Sequence, residues 1–108
     1  MTDKTRYLIY SEALSAEDRD AFISDWALSS AFPEDSDLAE NAAAVAAIWD
    51  AAHLTVRDVR LSTGLSQAQF AERFLIPRRS IENWESGARA CPQYVVNLLA
   101  IAAHETHL

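Results

Sequence analysis

Apolar residues recur along most of this chain at intervals of three and four, with polar residues between them, which is the signature of amphipathic helices rather than strands. Phe22, Ile23 and Trp26 form the first such stripe. Ser15 stands before it as a candidate N-cap, Glu17 and Asp18 suit the positive end of a helix, and the pattern carries to about residue 31. Phe32-Pro33-Glu34-Asp35-Ser36 breaks it. Asp35 or Ser36 can then cap a second helix, in which Leu38, Val45, Ile48 and Trp49 recur among alanines. Before both lies Tyr7-Leu8-Ile9-Tyr10, a short β-prone run and the only candidate strand, for which the chain offers no second run to pair with.

From Thr55 onward the pattern tightens into four short helices. Thr55 with Asp58 three residues on makes a capping box, Val56 and Val59 face inward, and Gly64 sits where a residue of positive φ would stop the helix. Ser66 and Gln69 make the next box, S-x-x-Q, over residues 67–74, with Phe70, Ala71 and Phe74 toward the core. Leu75-Ile76-Pro77 is a turn. Residues 78–86 form the third helix, with Ile81 and Trp84 inward and Gly87 closing it. Pro92 then opens a last helix whose inward stripe is read as Val95, Leu98 and Ala102. Two glycines and three prolines in 108 residues agree with a mostly helical chain.

Charge divides the chain. Residues 1–53 hold eleven acidic residues against Lys4, Arg6 and Arg19, a balance of −8, whereas residues 54–108 hold five against six arginines, a balance of +1; together they give the net −7. The expected organisation is therefore an acidic helical lobe over 1–54 and a near-neutral four- to five-helix domain over 55–108. The lobe's helices can serve as plain core, or one face can be a dimer or partner surface. The longest charge-free run around the alanine cluster, Asn41 to Trp49, is about half of a membrane crossing, and no basic-then-apolar leader opens the chain. A soluble, cytoplasmic protein with no membrane association is expected, and a single cysteine, Cys91, admits no internal disulfide.

Two helices of eight or nine residues joined by a three-residue turn have a specific geometric use. A small residue, Ala71, stands in the first helix where the second crosses it, while Ile76, Ile81 and Trp84 hold the crossing from the core side. The start of the second helix then points outward, free to enter a major groove. Residues 55–102, through T-V-R-D-V-R, T-G-L-S-Q-A-Q-F-A, I-P-R-R-S-I-E-N-W-E-S-G and the C-P-Q-Y helix, resemble the phage repressor and Cro-like (XRE) helix-turn-helix family, which includes antitoxin-type regulators. Residues 1–54 carry no comparable resemblance.

The resemblance implies an all-α fold and binding to double-stranded DNA. It implies that Gln67 bonds a backbone phosphate and braces the recognition helix, that Arg78, Arg79 and Asn83 touch base edges with Ser80 beside them, and that Arg60 and Glu85 form a structural ion pair. Physical chemistry concurs for the first group, since arginine bridges guanine O6 and N7 and asparagine pairs with adenine. Arg89, with Arg57 and Arg73, is a candidate phosphate contact. Two features depart from the family: Leu75 occupies a turn position commonly taken by glycine, and the module has no lysine. So few phosphate contacts imply modest affinity for one copy, and hence a homodimer on a palindrome.

Other chemistry is weakly represented. Cys91, His104 and His107 are too few and too scattered for a zinc site, and no cofactor is expected. No nucleophile elbow, glycine-rich phosphate loop or paired carboxylates occur, so the chain is expected not to be an enzyme. The reading is a DNA-binding transcriptional regulator, a dimeric repressor or antitoxin-like autoregulator. The alternative is a protein-interaction module whose acidic lobe binds a basic partner such as a toxin, with the helix-turn-helix as scaffold.

Overall fold

The computed structural model describes residues 1–105, and within them the chain forms seven α-helices and no strand. It divides into two compact units, Met1–His53 and Leu54–Leu108, each with its own apolar core.

The first unit is built from α1 (Asp3–Ala13), α2 (Arg19–Ala27) and α3 (Leu38–His53). The run Tyr7–Tyr10 lies inside α1 and is not a strand. Four apolar residues in a row carry no period of their own, and the register is set by Ile9 and Ala13, four apart and both fully buried. The Thr2 hydroxyl starts the helix by accepting from the Thr5 N–H at 3.1 Å. α2 begins three residues later than expected: Asp18 caps it, accepting from the Ala21 N–H, while Ser15 instead donates to the Glu12 carbonyl at the end of α1. Likewise Asp37, not Asp35 or Ser36, accepts from the Glu40 N–H at the start of α3. Ser36 holds the buried Asn41, whose amide donates to its hydroxyl at 2.8 Å.

Ile9, Phe22, Val45, Ile48 and Trp49 meet in the core of this unit, with the Phe22 and Trp49 rings 5.2 Å apart and tilted by 53°. Leu38 does not join them; it is exposed at the first turn of α3. Trp26 packs at the edge with its indole N–H donating to Glu12 at 3.1 Å, so its apolar body and polar tip are both satisfied.

The second unit holds α4 (Val56–Thr63), α5 (Gln67–Phe74), α6 (Arg78–Ser86) and α7 (Gln93–Glu105). Both capping boxes form in full, Thr55 with Asp58 and Ser66 with Gln69. Gly64 and Gly87 end α4 and α6 with φ of 74° and 83°, the left-handed region where glycine carries no Cβ penalty. Val56, Val59, Phe70, Ala71 and Ile81 are buried together, with Trp84, Phe74 and Ile76 packed against them.

On α7 the buried residues are Val96, Leu99 and Ala103, one residue on from the expected Val95, Leu98 and Ala102; Val95 is half-buried and packs against the same core, whereas Leu98 is exposed. Pro92 stands immediately before the helix rather than at its first position, its carbonyl accepting from the Val95 and Val96 N–H groups.

Candidate nucleic-acid interface

The site rests on how α5 and α6 are joined. Leu75, the residue after α5, takes φ 57° and ψ 41°, a left-handed conformation rare for a residue with a side chain. The turn is thus kept in the geometry a glycine would adopt, and the strain falls on leucine. The Ala71 carbonyl accepts from the Leu75 N–H and, at 3.0 Å, from the Ile76 N–H, which closes the end of α5. Pro77 then presets the entry to α6, and the Ser80 N–H donates to its carbonyl at 2.9 Å.

On α6 the faces separate by helical period. At about 100° per residue, Ile81, Trp84 and Glu85 fall on the inner side, and Arg79, Asn83 and Ser86 fall opposite them. Ile81 is fully buried, whereas Arg79 is exposed and Asn83 half-buried. Arg78 and Glu82 share one flank, where the Arg78 Nε stands 3.5 Å from the Glu82 Oε1; Ser80 lies on the other flank, half-buried. Glu82 was not among the expected residues, although its spacing of four from Arg78 is the ordinary sequence signal for such a pair. Both partners are at least half exposed, so the pair contributes little and leaves Arg78 available to another acceptor.

Arg60 and Glu85 lie on the inner side. The Arg60 Nε and Nη2 each donate to a different Glu85 carboxylate oxygen at 2.8 Å, a two-pronged pair, and Nη1 donates to the Leu65 carbonyl at 3.1 Å. The Glu85 side chain is 5% exposed and that of Arg60 14%. The guanidinium hydrogen bond, reinforced by its charge and by a hydrogen bond from Gln67, holds the Glu85 carboxyl below the usual carboxylate range against the opposing effect of burial. Arg60 on α4 therefore ties both the α4–α5 loop, through Leu65, and the end of α6, through Glu85, to itself.

Arg89 is exposed in the loop after α6, and its backbone N–H donates to the Asn83 carbonyl at 3.2 Å, fixing the loop's departure. The arrangement brings Gln67, Arg78, Arg79, Ser80 and Asn83 to α6 or its immediate approach, with Arg89 just beyond its end. Cys91 lies against the core, where burial pushes its thiol up, and His104 is on α7; His107 lies outside the described residues. Among the described residues no three potential ligands gather around one point, and no helix is long and apolar enough to cross a membrane.

Chemically, the outer face of α6 offers guanidinium donors and a carboxamide, with no bulky apolar residue between them. Planar donors of this kind match the paired acceptors on purine edges and the oxygens of phosphate. Residues 56–100 match the family model described as helix-turn-helix. No curated protein and no solved structure matches the chain. The matched segment spans α4 to α7, whose two capped short helices, strained turn and buried ion pair have just been described. Residues 56–100, somewhat less than half of the chain, are therefore similar to the helix-turn-helix family over the segment that runs from α4 into α7.

Proposed function

We propose that the chain is a sequence-specific transcriptional regulator, a repressor or antitoxin-like autoregulator, that binds double-stranded DNA as a homodimer with α6 in the major groove. The observation that carries this reading is the division of α6, with Ile81 and Glu85 buried and Arg79 and Asn83 turned to the opposite side. Arg79 and Asn83 read base edges from the centre of that face, and Arg78 reads or anchors from its flank. Gln67, Ser80 and Arg89 are placed to bond phosphates on either side.

The net charge of −7 is compatible with this role because the acid is segregated: the unit holding α6 is near neutral, and charges separated by more than about 8 Å are largely screened at physiological salt. Few phosphate contacts give a shallow salt dependence, close to one logarithmic unit of slope for each phosphate neutralised.

Selection of duplexes from random sequence, followed by fluorescence anisotropy on the preferred site, tests the reading. The Arg78→Ala, Arg79→Ala double variant is expected to lose preferential binding while keeping its helical content; undiminished binding would remove the basis of the proposal. A second reading is favoured by the −8 balance of residues 1–53 and their separate core: that unit binds a basic protein partner, such as a toxin. Retention of one basic protein by the full-length double variant, with no DNA bound by the unaltered chain, would select it instead.

A further inference from the structure

α6 carries one carboxylate on its outer side. Of the five acidic residues in 54–108, Asp58 closes a capping box, Glu85 is buried against Arg60, Glu72 lies on α5 and Glu105 ends α7; Glu82 alone sits among the side chains that face a duplex in the reading above. At about 100° per residue it falls between Arg79 and Arg78, about 60° from the first and about 40° from the second. A surface built of phosphates repels such a group, so its place there calls for a reason.

Helix stability does not supply one. Arg78 is the first residue of α6, where a cation meets the positive end of the helix, and Glu82 lies mid-helix, away from the ends where the dipole acts. Their order, base first and acid four residues on, is the less favourable of the two. The side chains are 64% and 50% exposed, and pairs of this kind contribute little to folding.

The pair has a directional consequence instead. Its nearest approach joins the Arg78 Nε to the Glu82 Oε1 at 3.5 Å. Nε is the inner donor of the guanidinium fork; the outer end, Nη1 and Nη2, has no other acceptor among the described residues. Those two parallel N–H groups match O6 and N7 of guanine. A carboxylate at the inner donor restricts the rotamers of a long side chain, whose ordering otherwise opposes binding. It also offsets the charge. Attraction to a phosphate anion falls, while two directional bonds to an uncharged base edge keep most of their strength.

We propose that Glu82 is a positioning residue for sequence specificity: it holds Arg78 end-on for guanine and discourages the same side chain from settling on phosphate. This rests on the reading of α6 as the recognition helix, and it assigns Arg78 to a base rather than to the backbone. Glu82 is then the repulsive element that discrimination uses beside its attractive contacts.

The test uses the full chain and the duplex it prefers in selection, with each guanine replaced in turn by 7-deazaguanine, which lacks the N7 acceptor. For the parent, replacement at one guanine of the recognised sequence is expected to weaken binding about tenfold, and Arg78→Ala is expected to abolish that penalty. Glu82→Ala should cut the same penalty to about threefold, because the guanidinium is no longer held for the base. It should also raise affinity for an unrelated duplex and steepen the salt dependence by about one logarithmic unit, as Arg78 takes up a phosphate. Glu82→Gln keeps the shape and loses the charge, and should move all three readouts in the same direction; a side chain needed only for packing would be rescued by it.

A Glu82→Ala protein that keeps the parent's penalty at the guanine coupled to Arg78 overturns the proposal, as does one whose affinity falls equally for every duplex. If no guanine's penalty depends on Arg78, this inference fails while the preferred duplex leaves the regulator reading standing. If selection yields no preferred duplex, both fall.

Discussion

Removing the Arg60 guanidinium should threaten the second unit as a whole. Glu85 is 5% exposed and makes two 2.8 Å bonds to Arg60, so Arg60→Ala leaves a buried carboxylate without its partner; cutting one side of a buried pair costs about 3–5 kcal/mol. A unit of this size has a total stability of only about 3–8 kcal/mol, at 0.05–0.15 kcal/mol per residue. Arg60→Ala is thus expected to leave α4 to α7 largely unfolded or marginal. The double variant Arg60→Met, Glu85→Leu, which removes both charges and keeps most of the volume, is expected to be near the parent in stability. The coupling between the two sites should accordingly be at least about 2 kcal/mol.

Urea denaturation followed through the amide resonances of α5 and α6 reads this unit separately from residues 1–53. The pH dependence adds a second arm. Because the folded Glu85 carboxyl lies below its ordinary value of 4.5, its contribution is complete above that pH and is lost as pH falls through the lower, folded value. Stability of the parent should fall in that acid range more steeply than that of Glu85→Gln. Additive effects of the two substitutions, or parallel acid profiles for parent and Glu85→Gln, would refute the account of the pair as a buried brace.

Other outcomes follow from single features. Arg79→Ala and Asn83→Ala should each reduce discrimination between the preferred duplex and its single-base variants by about 1–3 kcal/mol in anisotropy titrations, with little change in thermal stability. Leu75→Gly should relieve about 1–2 kcal/mol of left-handed strain and return about 0.5–1 kcal/mol as chain entropy, a net gain in urea midpoint; Leu75 is 91% exposed, so no burial is lost. Ser66→Ala should cost about 1 kcal/mol by removing the acceptor for the Gln69 N–H, measured in the same melts. Ala71→Leu should cost about 1–3 kcal/mol and displace α6, detectable as amide shift changes along residues 78–86, because Ala71 is 5% exposed at the crossing of two helices.

Much of the second unit was legible in the residues because its signals are local and agree with one another. Thr55 with Asp58, Ser66 with Gln69, and the two glycines each specify a helix end through bonds or dihedrals within three or four residues, and both boxes and both left-handed stops are present. The buried Ala71 and Ile81 and the outward Arg79 follow once those ends fix the register. The Arg60–Glu85 pair is separated by twenty-five residues, so it came from the family resemblance and not from spacing. Only the folded chain shows that the same guanidinium also donates to the Leu65 carbonyl. Leu75 stands where the family commonly has glycine, and only the folded chain, with its φ of 57°, shows that the leucine takes the left-handed conformation.

The first unit was harder to read because several residues of one type compete for each role. Ser15 and Asp18 are both good caps, as are Asp35, Ser36 and Asp37, and the choice depends on where the helix must begin for Phe22 or Val45 to reach the core. α7 poses the same problem more sharply. Val95, Leu98 and Ala102 have the same spacing as Val96, Leu99 and Ala103, and in a helix apolar on both sides the period does not say which stripe is inside. Local chemistry along the chain determined that these helices exist and where most of them stop. Packing against α4 and its neighbours alone decided which face of α7 is buried, because burial is a property of the whole core and periodicity is unchanged by a rotation of the helix.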